Sequence, residues 1–375
     1  SENLLAALSP GKEQLGLAWL ELSTGKFQAA TVGPENLADE LARLSPSELL
    51  IPEKMKEDLL GSSEYSTNTI LITERPAWCY SHNECRRTLK EHFKAATLEG
   101  FDIEEESPAT TAAGVLLEYV QETQKTSLSH ITRITPYRRG HNLIIDEATR
   151  RSLELTSTIR EGTRDNSLLD VIDQTVTSMG ARLLGDWLTN PLTDLNQINQ
   201  RLDAVGEIIT NLTLMQDVRE LLDDAYDLQR LTARCATRRV SPKDLSFLAK
   251  TLSILPALKA KMTGRSSALL QEIESRFDLC ADVRSDIDKN LADDPPLLVS
   301  DGGMIRSGVN AELDEFRTLS KGGKEWIASY QAQQSETTGI PNLKVGFNKV
   351  FGYYLEGTAA HQSKVPDHFI RKQTL

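Results

Sequence analysis

The chain has 375 residues, of which 39% are apolar, enough for packed cores in two or three domains. Its formal net charge of −12 argues against a surface coated with nucleic acid but allows a local contact. There is no apolar run of roughly 18 residues, no basic leader with a long apolar segment, and only four cysteines, so we expect a cytoplasmic protein that does not enter a membrane.

Strand and helix patterns alternate over the first part of the chain, to about Pro136. A mostly apolar strand at 15–22, a Ser-Thr-Gly turn and a second strand at 26–32 predict a hairpin. The remaining patterns predict strands at 48–51 and near 69–73, and helices at 35–44, 83–93 and 110–125. Interleaved strands and helices of this length indicate one compact α/β domain.

After Pro136 the apolar period becomes helical and stays so to about Gln334. Ile198, Leu202, Val205 and Ile209 are spaced by 4, 3 and 4 residues, which is typical of one helix face. Ser241-Pro242 supplies a capping hydroxyl and a first-turn proline for another helix. Several such helices predict an all-α domain, followed by a long amphipathic helix that begins near Asn310.

The segment 339–356 is rich in β-branched and aromatic residues, and it lies in a basic region of an acidic chain. Residues 316–375 hold eight Lys or Arg and four Asp or Glu, so they carry 8 − 4 = +4, and the remainder carries −16. This pattern predicts a cationic β tip that binds a polyanion; the alternative is a solvated basic hairpin without a ligand. We expect its aromatic residues to form the hairpin core rather than stacking platforms; they are Phe347, Phe351, Tyr353 and Tyr354.

Motifs for catalysis or metal binding are incomplete. Gly322-Gly323-Lys324 lacks the upstream glycine and the following hydroxyl of a phosphate loop, so we expect no nucleotide hydrolysis by this chain. Cys79, His82, Cys85 and His92 have no paired Cys-x-x-Cys knuckles, so we expect buried thiols rather than a zinc site. Glu21 ends a strand, as a nuclease carboxylate would, but no partner acids can be identified. We therefore expect no catalytic residue and no metal site.

Several motifs carry a family resemblance. Leu343-Lys344-Val345-Gly346-Phe347-Asn348, followed by Gly352-Tyr353-Tyr354 and by Arg371-Lys372-Gln373-Thr374-Leu375, resembles the clamp segment of bacterial MutS mismatch-repair proteins. Further blocks agree in the same order along the whole chain. They are 146–155, Met179-Gly180-Ala181-Arg182-Leu183-Leu184, Asp227-Leu228-Gln229-Arg230-Leu231, and Asp301-Gly302-Gly303-Met304-Ile305 with Glu312-Leu313-Asp314-Glu315.

The resemblance implies a multidomain α and β architecture. Residues 1–137 would be a connector domain with a ribonuclease-H-like α/β fold, 138–315 an all-α helical core domain, and 316–375 a lever helix leading to a partial, β-rich clamp domain. In this family the clamp grips the DNA backbone, whereas the connector relays signals and contacts MutL. The whole proteins bind mismatched DNA as homodimers and hydrolyse ATP with magnesium. Because the mismatch-reading Phe-x-Glu motif and the phosphate loop do not occur here, we expect an internal fragment without a cofactor.

Two sets of candidate site residues follow from this comparison. The first set is expected to contact the backbone of double-stranded DNA; it is Lys344, Asn348, Lys349, Arg371, Lys372 and Thr374. The second set, Arg86, Arg87 and Lys90, is a possible docking face for a MutL-like partner. Two alternatives remain open: a protein-interaction scaffold that does not bind DNA, and a ribonuclease-H-like nuclease. A lever helix without its returning partner should also expose an apolar face, which we expect at Leu313, Phe316 and Trp326.

Overall fold

A computed structural model describes residues 4–53, 55, 70–124, 128–138, 140, 142–350, 352–366 and 368–370. The chain forms two compact units, residues 1–304 and residues 305–375, which are described separately. No helix among the described residues is both long and apolar enough to cross a membrane.

The first unit begins with a six-stranded mixed sheet. Its strands are β1 Leu4–Pro10, β2 Leu15–Glu21, β3 Lys26–Val32, β4 Glu48–Pro52, β5 Leu71–Arg75 and β6 Ile134–Pro136. Their order across the sheet is β5-β4-β1-β2-β3-β6. The pairs β1–β2 and β2–β3 are antiparallel, whereas β4 is parallel to β1, β5 to β4, and β6 to β3. The predicted hairpin is confirmed as β2–β3.

The central strands β1, β2 and β4 are buried on both faces because helices cover each side of the sheet. The helices are α1 Leu37–Leu44, α2 His82–Phe93 and α3 Pro108–Gln124. Leu20 and Phe27 lie in the same cluster as residues of α2 and α3, whereas Leu17 and Trp19 lie in the cluster that includes α1. The alternation along β2 thus sends its side chains to two separate cores.

The helices α2 and α3 approach each other closely at Gly114. A Cβ atom added to this glycine would lie 2.5 Å from Cα and 2.7 Å from the carbonyl oxygen of Cys85. Cys85 is buried, and its thiol donates to the Cys79 carbonyl at 3.2 Å. Only a residue without a side chain permits this helix–helix distance.

The rest of the first unit is mainly helical, as the periodicity predicts. Its helices are α4 Glu147–Ser152, α5 Leu168–Ile172, α6 Ser178–Thr189, α7 Leu195–Ile209, α8 Leu212–Asp223, α9 Leu228–Ala236, α10 Pro242–Met262, α11 Ala268–Ser275 and α12 Ala281–Asn290. The predicted start of α10 is confirmed, since Ser241 and Asp244 form a reciprocal capping box. The stripe on α7 forms one helix face as predicted, yet Leu202, Val205 and Ile209 are each more than half exposed.

The described residues of the second unit form one long helix and one hairpin. Its helix is α13 Ala311–Thr338, its strands are β7 Lys344–Asn348 and β8 Gly352–Glu356, and a 3₁₀ segment follows at Ala359–Lys364. The helix begins immediately after Asn310, as predicted. Its apolar side chains Phe316 and Trp326 are 58% and 65% exposed, as expected, whereas Leu313 is half-buried.

Candidate nucleic-acid interface

The long helix α13 has a defined cap at each end. The Asn310 side chain accepts a hydrogen bond from the Leu313 amide at 2.9 Å, which satisfies one free donor of the first turn. At the other end Gly339 has a φ of +65°, the left-handed conformation that glycine adopts without strain. The chain therefore leaves the helix at a fixed point, just before the hairpin.

A small apolar cluster fixes the base of the hairpin to the end of α13. Ile340 and Leu343 are buried, at 1% and 7% exposure. The Ser335 hydroxyl donates to the Ile340 carbonyl at 2.5 Å. The Lys364 ammonium donates to the Gly339 carbonyl at 3.3 Å and so reaches the end of the helix. Lys364 was not singled out by sequence reasoning, because its partner is a backbone carbonyl distant along the chain.

Residues at the two ends of the hairpin loop favour the tight turn that joins β7 and β8. Lys344 pairs with Glu356 at its base and Asn348 with Gly352 near the loop. The Asn348 side chain accepts from the Val350 amide at 2.8 Å, and Gly352 has a φ of +75°. Glycine and asparagine are the residues that such tight connections favour.

The aromatic residues of the hairpin differ in how far their rings are buried. Phe347 and Tyr353 face each other across the strands with ring centroids 5.1 Å apart, but they are 63% and 66% exposed. Their prediction as hairpin core is therefore wrong, because one two-stranded ribbon cannot bury both of its faces. Tyr354 does pack across its partner strand, since a Cβ atom at Gly346 would lie 2.7 Å from its hydroxyl oxygen. Phe351 lies outside the described residues.

Three of the predicted DNA-contact residues come together on this hairpin. Lys344 and Lys349 are exposed, and neither forms an ion pair within the part of the chain that the structure describes. Asn348, between them in sequence, holds the loop through its side-chain oxygen. The other three predicted contacts, Arg371, Lys372 and Thr374, lie outside the described residues.

The second predicted set has a different electrostatic environment. On α2, the Arg86 guanidinium lies 2.5 Å from a Glu106 carboxylate oxygen, and the Lys90 ammonium lies 2.8 Å from Glu105. Arg87 forms an ion pair with Glu84 on the same helix. Hydrogen bonds from Lys90 and from the Leu98 amide hold the pKa of Glu105 below its ordinary value. All three docking candidates therefore have carboxylate partners within the domain.

The cysteines and histidines of the 79–92 segment do not converge. Cys79 and Cys85 are buried thiols, and burial raises the pKa of Cys85 to about 12. The His82 ring bonds to the Thr111 hydroxyl at 2.9 Å, whereas His92 bonds to the Ile131 carbonyl at 2.8 Å. No cluster of three or more metal-ligating side chains occurs within the described ranges.

The Glu21 carboxylate is hydrogen-bonded to side chains of the turn that follows its strand. Its two carboxylate oxygens accept hydrogen bonds from the Ser23 and Thr24 hydroxyls, each at 2.7 Å. The carboxylate is also buried, at 8% exposure for the residue. Glu21 thus closes the β2–β3 turn, which is the role this position has in the hairpin.

A polar network joins the sheet region to the helices that follow it. The Arg43 guanidinium stacks on Tyr137, 4.2 Å from its ring centroid, and donates to the Asn190 side chain at 3.1 Å. Nearby, the Glu147 amide donates to Asp39 at 3.0 Å. Burial and the neighbouring Arg43 lower the pKa of Arg150 in the same network. Side chains from α1 therefore bind both the start of α4 and the end of α6.

Comparison with known proteins agrees with this arrangement. Residues 3–132 match the family model of MutS domain II, and residues 148–352 match that of MutS domain III. The chain is 48% identical over 366 residues to the DNA mismatch repair protein MutS of Rhodopirellula baltica, covering 97% of this chain and 41% of that protein. It is 39% identical over 379 residues to MutS of Symbiobacterium thermophilum, covering all of this chain and 43% of the relative.

A third relative, MutS of Salinibacter ruber, is 38% identical over 377 residues, again across the whole chain and 41% of its own length. The chain thus spans about two fifths of the length of the curated relatives it matches. The match to domain III alone covers more than half of the chain. The chain belongs to the MutS family of DNA mismatch repair proteins, of which it contains domains II and III.

Proposed function

We propose that residues 305–375 contact the phosphate backbone of double-stranded DNA without reading its sequence. The observation that carries this proposal is the contrast between two groups of cations. Lys344 and Lys349 form no ion pair among the described residues, although Glu356 lies opposite Lys344 in the strand register, whereas Arg86 and Lys90 are ion-paired. Exposed, unpaired lysines can neutralise phosphates, and each phosphate neutralised releases a counterion from the DNA.

The spacing of these lysines suits a phosphate backbone. Lys344 begins β7 and Lys349 directly follows its last residue, so the strand alone places them about 13 Å apart. Lysine ammonium groups and the Asn348 amide are donors that phosphate oxygens accept. Arg371, Lys372 and Thr374 complete the proposed contact set on the basis of sequence alone.

The test is a titration of fluorescent duplex DNA at several salt concentrations. If about three phosphates are neutralised, the logarithm of affinity should fall with the logarithm of salt with a slope of roughly −3. The double variant Lys344→Ala, Lys349→Ala should bind more weakly at low salt and have a slope nearer −1. The matched control is Lys12→Ala, which removes an exposed lysine from the first unit. Equal slopes for the wild type and the double variant would contradict the proposal.

We further propose that the first unit transmits signals and docks a MutL-like partner. The strand order supports the ribonuclease-H-like description of its sheet domain. The Arg43 network supports a mechanical connection, because α1 of the sheet region is bound to α4 and α6 of the helical region. A partner would engage Arg86, Arg87 and Lys90 by exchanging their present carboxylate partners for its own.

The rival function is an interaction scaffold that does not bind DNA. The ion-paired face on α2 favours it as a surface of mixed charge. A pull-down with MutL, compared with the duplex titration at low salt, separates the two. MutL capture that is lost in Arg86→Ala, without any duplex binding by the wild type, would establish the scaffold.

Whole MutS proteins have activities that we do not assign to the residues of this chain. We propose that mismatch recognition, ATP hydrolysis with magnesium and homodimer formation belong to parts of the parent protein outside this sequence. DNA contact through the hairpin would then require no cofactor. A comparison of this chain with the parent protein in a mismatch-binding assay tests the division of roles: the parent alone should prefer a mismatched duplex.

A further inference from the structure

The end of α13 that carries the hairpin is electrostatically unsuited to a polyanion. The C-terminal end of a helix has a partial negative charge of about half a unit, because its last carbonyls point outward. The last turn of α13 contains no basic residue, and it contains Glu336. Residues 339–343 are all that separates this helix from Lys344, the first lysine of the hairpin. Phosphates approaching Lys344 therefore meet a nearby negative field.

The described structure places one cation on this helix end. The Lys364 ammonium lies 3.3 Å from the carbonyl oxygen of Gly339, the residue that caps α13. The segment that brings it there returns over the buried base of the hairpin. A Cβ atom on Gly357 would lie 3.5 Å from Leu343 and 4.0 Å from Ile340, which are ordinary packing distances. Lys364 is otherwise exposed to solvent.

We infer that Lys364 is a positioning residue for DNA: it neutralises the C-terminal end of α13 so that the phosphate backbone can approach Lys344. The inference rests on the proposed DNA contact and assigns Lys364 a separate role at the C-terminal end of α13. The ammonium carries +1 against about −0.5 at the helix end and −1 on Glu336, so it reduces the net negative charge of this end from about −1.5 to about −0.5.

Three substitutions, titrated with duplex DNA at about 0.1 M salt, test this inference; two of them change the charge by one unit and the third conserves it. Lys364→Gln should weaken duplex binding by about two- to fivefold, if the interaction of one charge with a helix terminus sets the size of the effect. Glu336→Gln should strengthen binding by a similar factor, since it removes an opposing charge from the same end. A purely structural role for Lys364 does not predict this gain. Lys364→Arg should bind as the wild type does.

The matched control is Arg317→Gln, which removes one positive charge from the other end of the same helix. Arg317 forms an ion pair with Asp314 in the first turns of α13. It lies about 30 Å along the helix from Gly339, well beyond the screening length of about 10 Å at 0.1 M salt. Its substitution should leave DNA binding unchanged. Far-UV circular dichroism of each variant verifies that α13 remains folded.

The outcomes separate the inference from the proposed function. If Lys364→Gln and Glu336→Gln both bind like the wild type while the Lys344 and Lys349 double variant binds weakly, the DNA contact stands and the inference is wrong. If the double variant also binds like the wild type, both are wrong. If Lys364→Gln unfolds the hairpin, the Glu336→Gln variant decides: tighter binding supports the inference, and unchanged binding overturns it.

Discussion

Gly114 sets the distance between α2 and α3, and its replacement by alanine should destabilise the first unit. The added Cβ atom would lie 2.5 Å and 2.7 Å from backbone atoms of Cys85. Real Cβ atoms do not approach backbone this closely, so the two helices must move apart. Backbone cannot rotate away as a flexible side chain would, and the surrounding core is fully buried.

The magnitude follows from two opposing contributions. Alanine is a better helix former than glycine by about 1 kcal/mol, which favours the variant. Overpacking a well-filled core costs typically about 1–3 kcal/mol and sometimes more, and a clash with backbone belongs at the upper end. The net expectation for Gly114→Ala is a loss of about 1–3 kcal/mol in the free energy of unfolding.

Urea denaturation followed by circular dichroism measures this difference, with Gly206→Ala as the matched control. Gly206 also lies inside a helix, α7, but nothing lies within 4 Å of the place where its Cβ atom would be. The control should therefore gain about 0.5–1 kcal/mol from helix propensity alone. Equal or higher stability of Gly114→Ala than of the wild type would refute the packing argument, and so would a comparable loss in both variants.

Three further predictions concern charge and cofactors. Burial alone would raise the pKa of Asp227, but hydrogen bonds from Arg182, a backbone amide and a serine hydroxyl lower it to about 2. The ionised Asp227 should therefore stabilise the fold fully above about pH 4, the ordinary pKa of Asp, and progressively less as the pH falls toward 2. The urea midpoint should accordingly drop more over that range in the wild type than in Asp227→Asn. Arg43→Ala removes the stacking on Tyr137 and the hydrogen bond to Asn190, so it should lower the free energy of unfolding by about 2–4 kcal/mol. Arg43→Lys should recover only part of the lost stability. An Arg43→Ala variant as stable as the wild type in urea denaturation would contradict this. Duplex binding by this chain should persist in EDTA and without ATP, since lysine–phosphate contacts need neither ATP nor magnesium; a strict requirement for ATP or for magnesium in the anisotropy titration would count against a hairpin contact.

Local patterns in the sequence predict much of the secondary structure. The β2–β3 hairpin, the start of α10 at Ser241 and the start of α13 at Asn310 all follow from turn and cap residues that act on their immediate neighbours. The strands β1 and β6 were not predicted. β6 has only three residues and depends on pairing with β3, a contact distant along the chain that no local pattern encodes.

Side-chain environments were harder to predict than elements. Nothing in the spacing of Arg86 and Lys90 indicates that Glu105 and Glu106 would pair with them, because that pairing depends on how α2 and the following loop pack. The same holds for Phe347, whose exposure depends on what covers the ribbon rather than on its own strand. Lys364 went unnoticed for a similar reason: its partner is a backbone carbonyl, which carries no signal of residue type.

The close contact between α2 and α3 also has a consequence for recognition. The face of α2 that carries Arg86 and Lys90 borders the side of the helix that is fixed against α3 at Gly114. A partner that binds this face meets a preorganised surface and loses little conformational entropy of the receptor on association. Affinity would then be limited by the exchange of ion partners at the surface. A change buried beneath that surface, such as Gly114→Ala, should slow or weaken docking although every contacting side chain is intact.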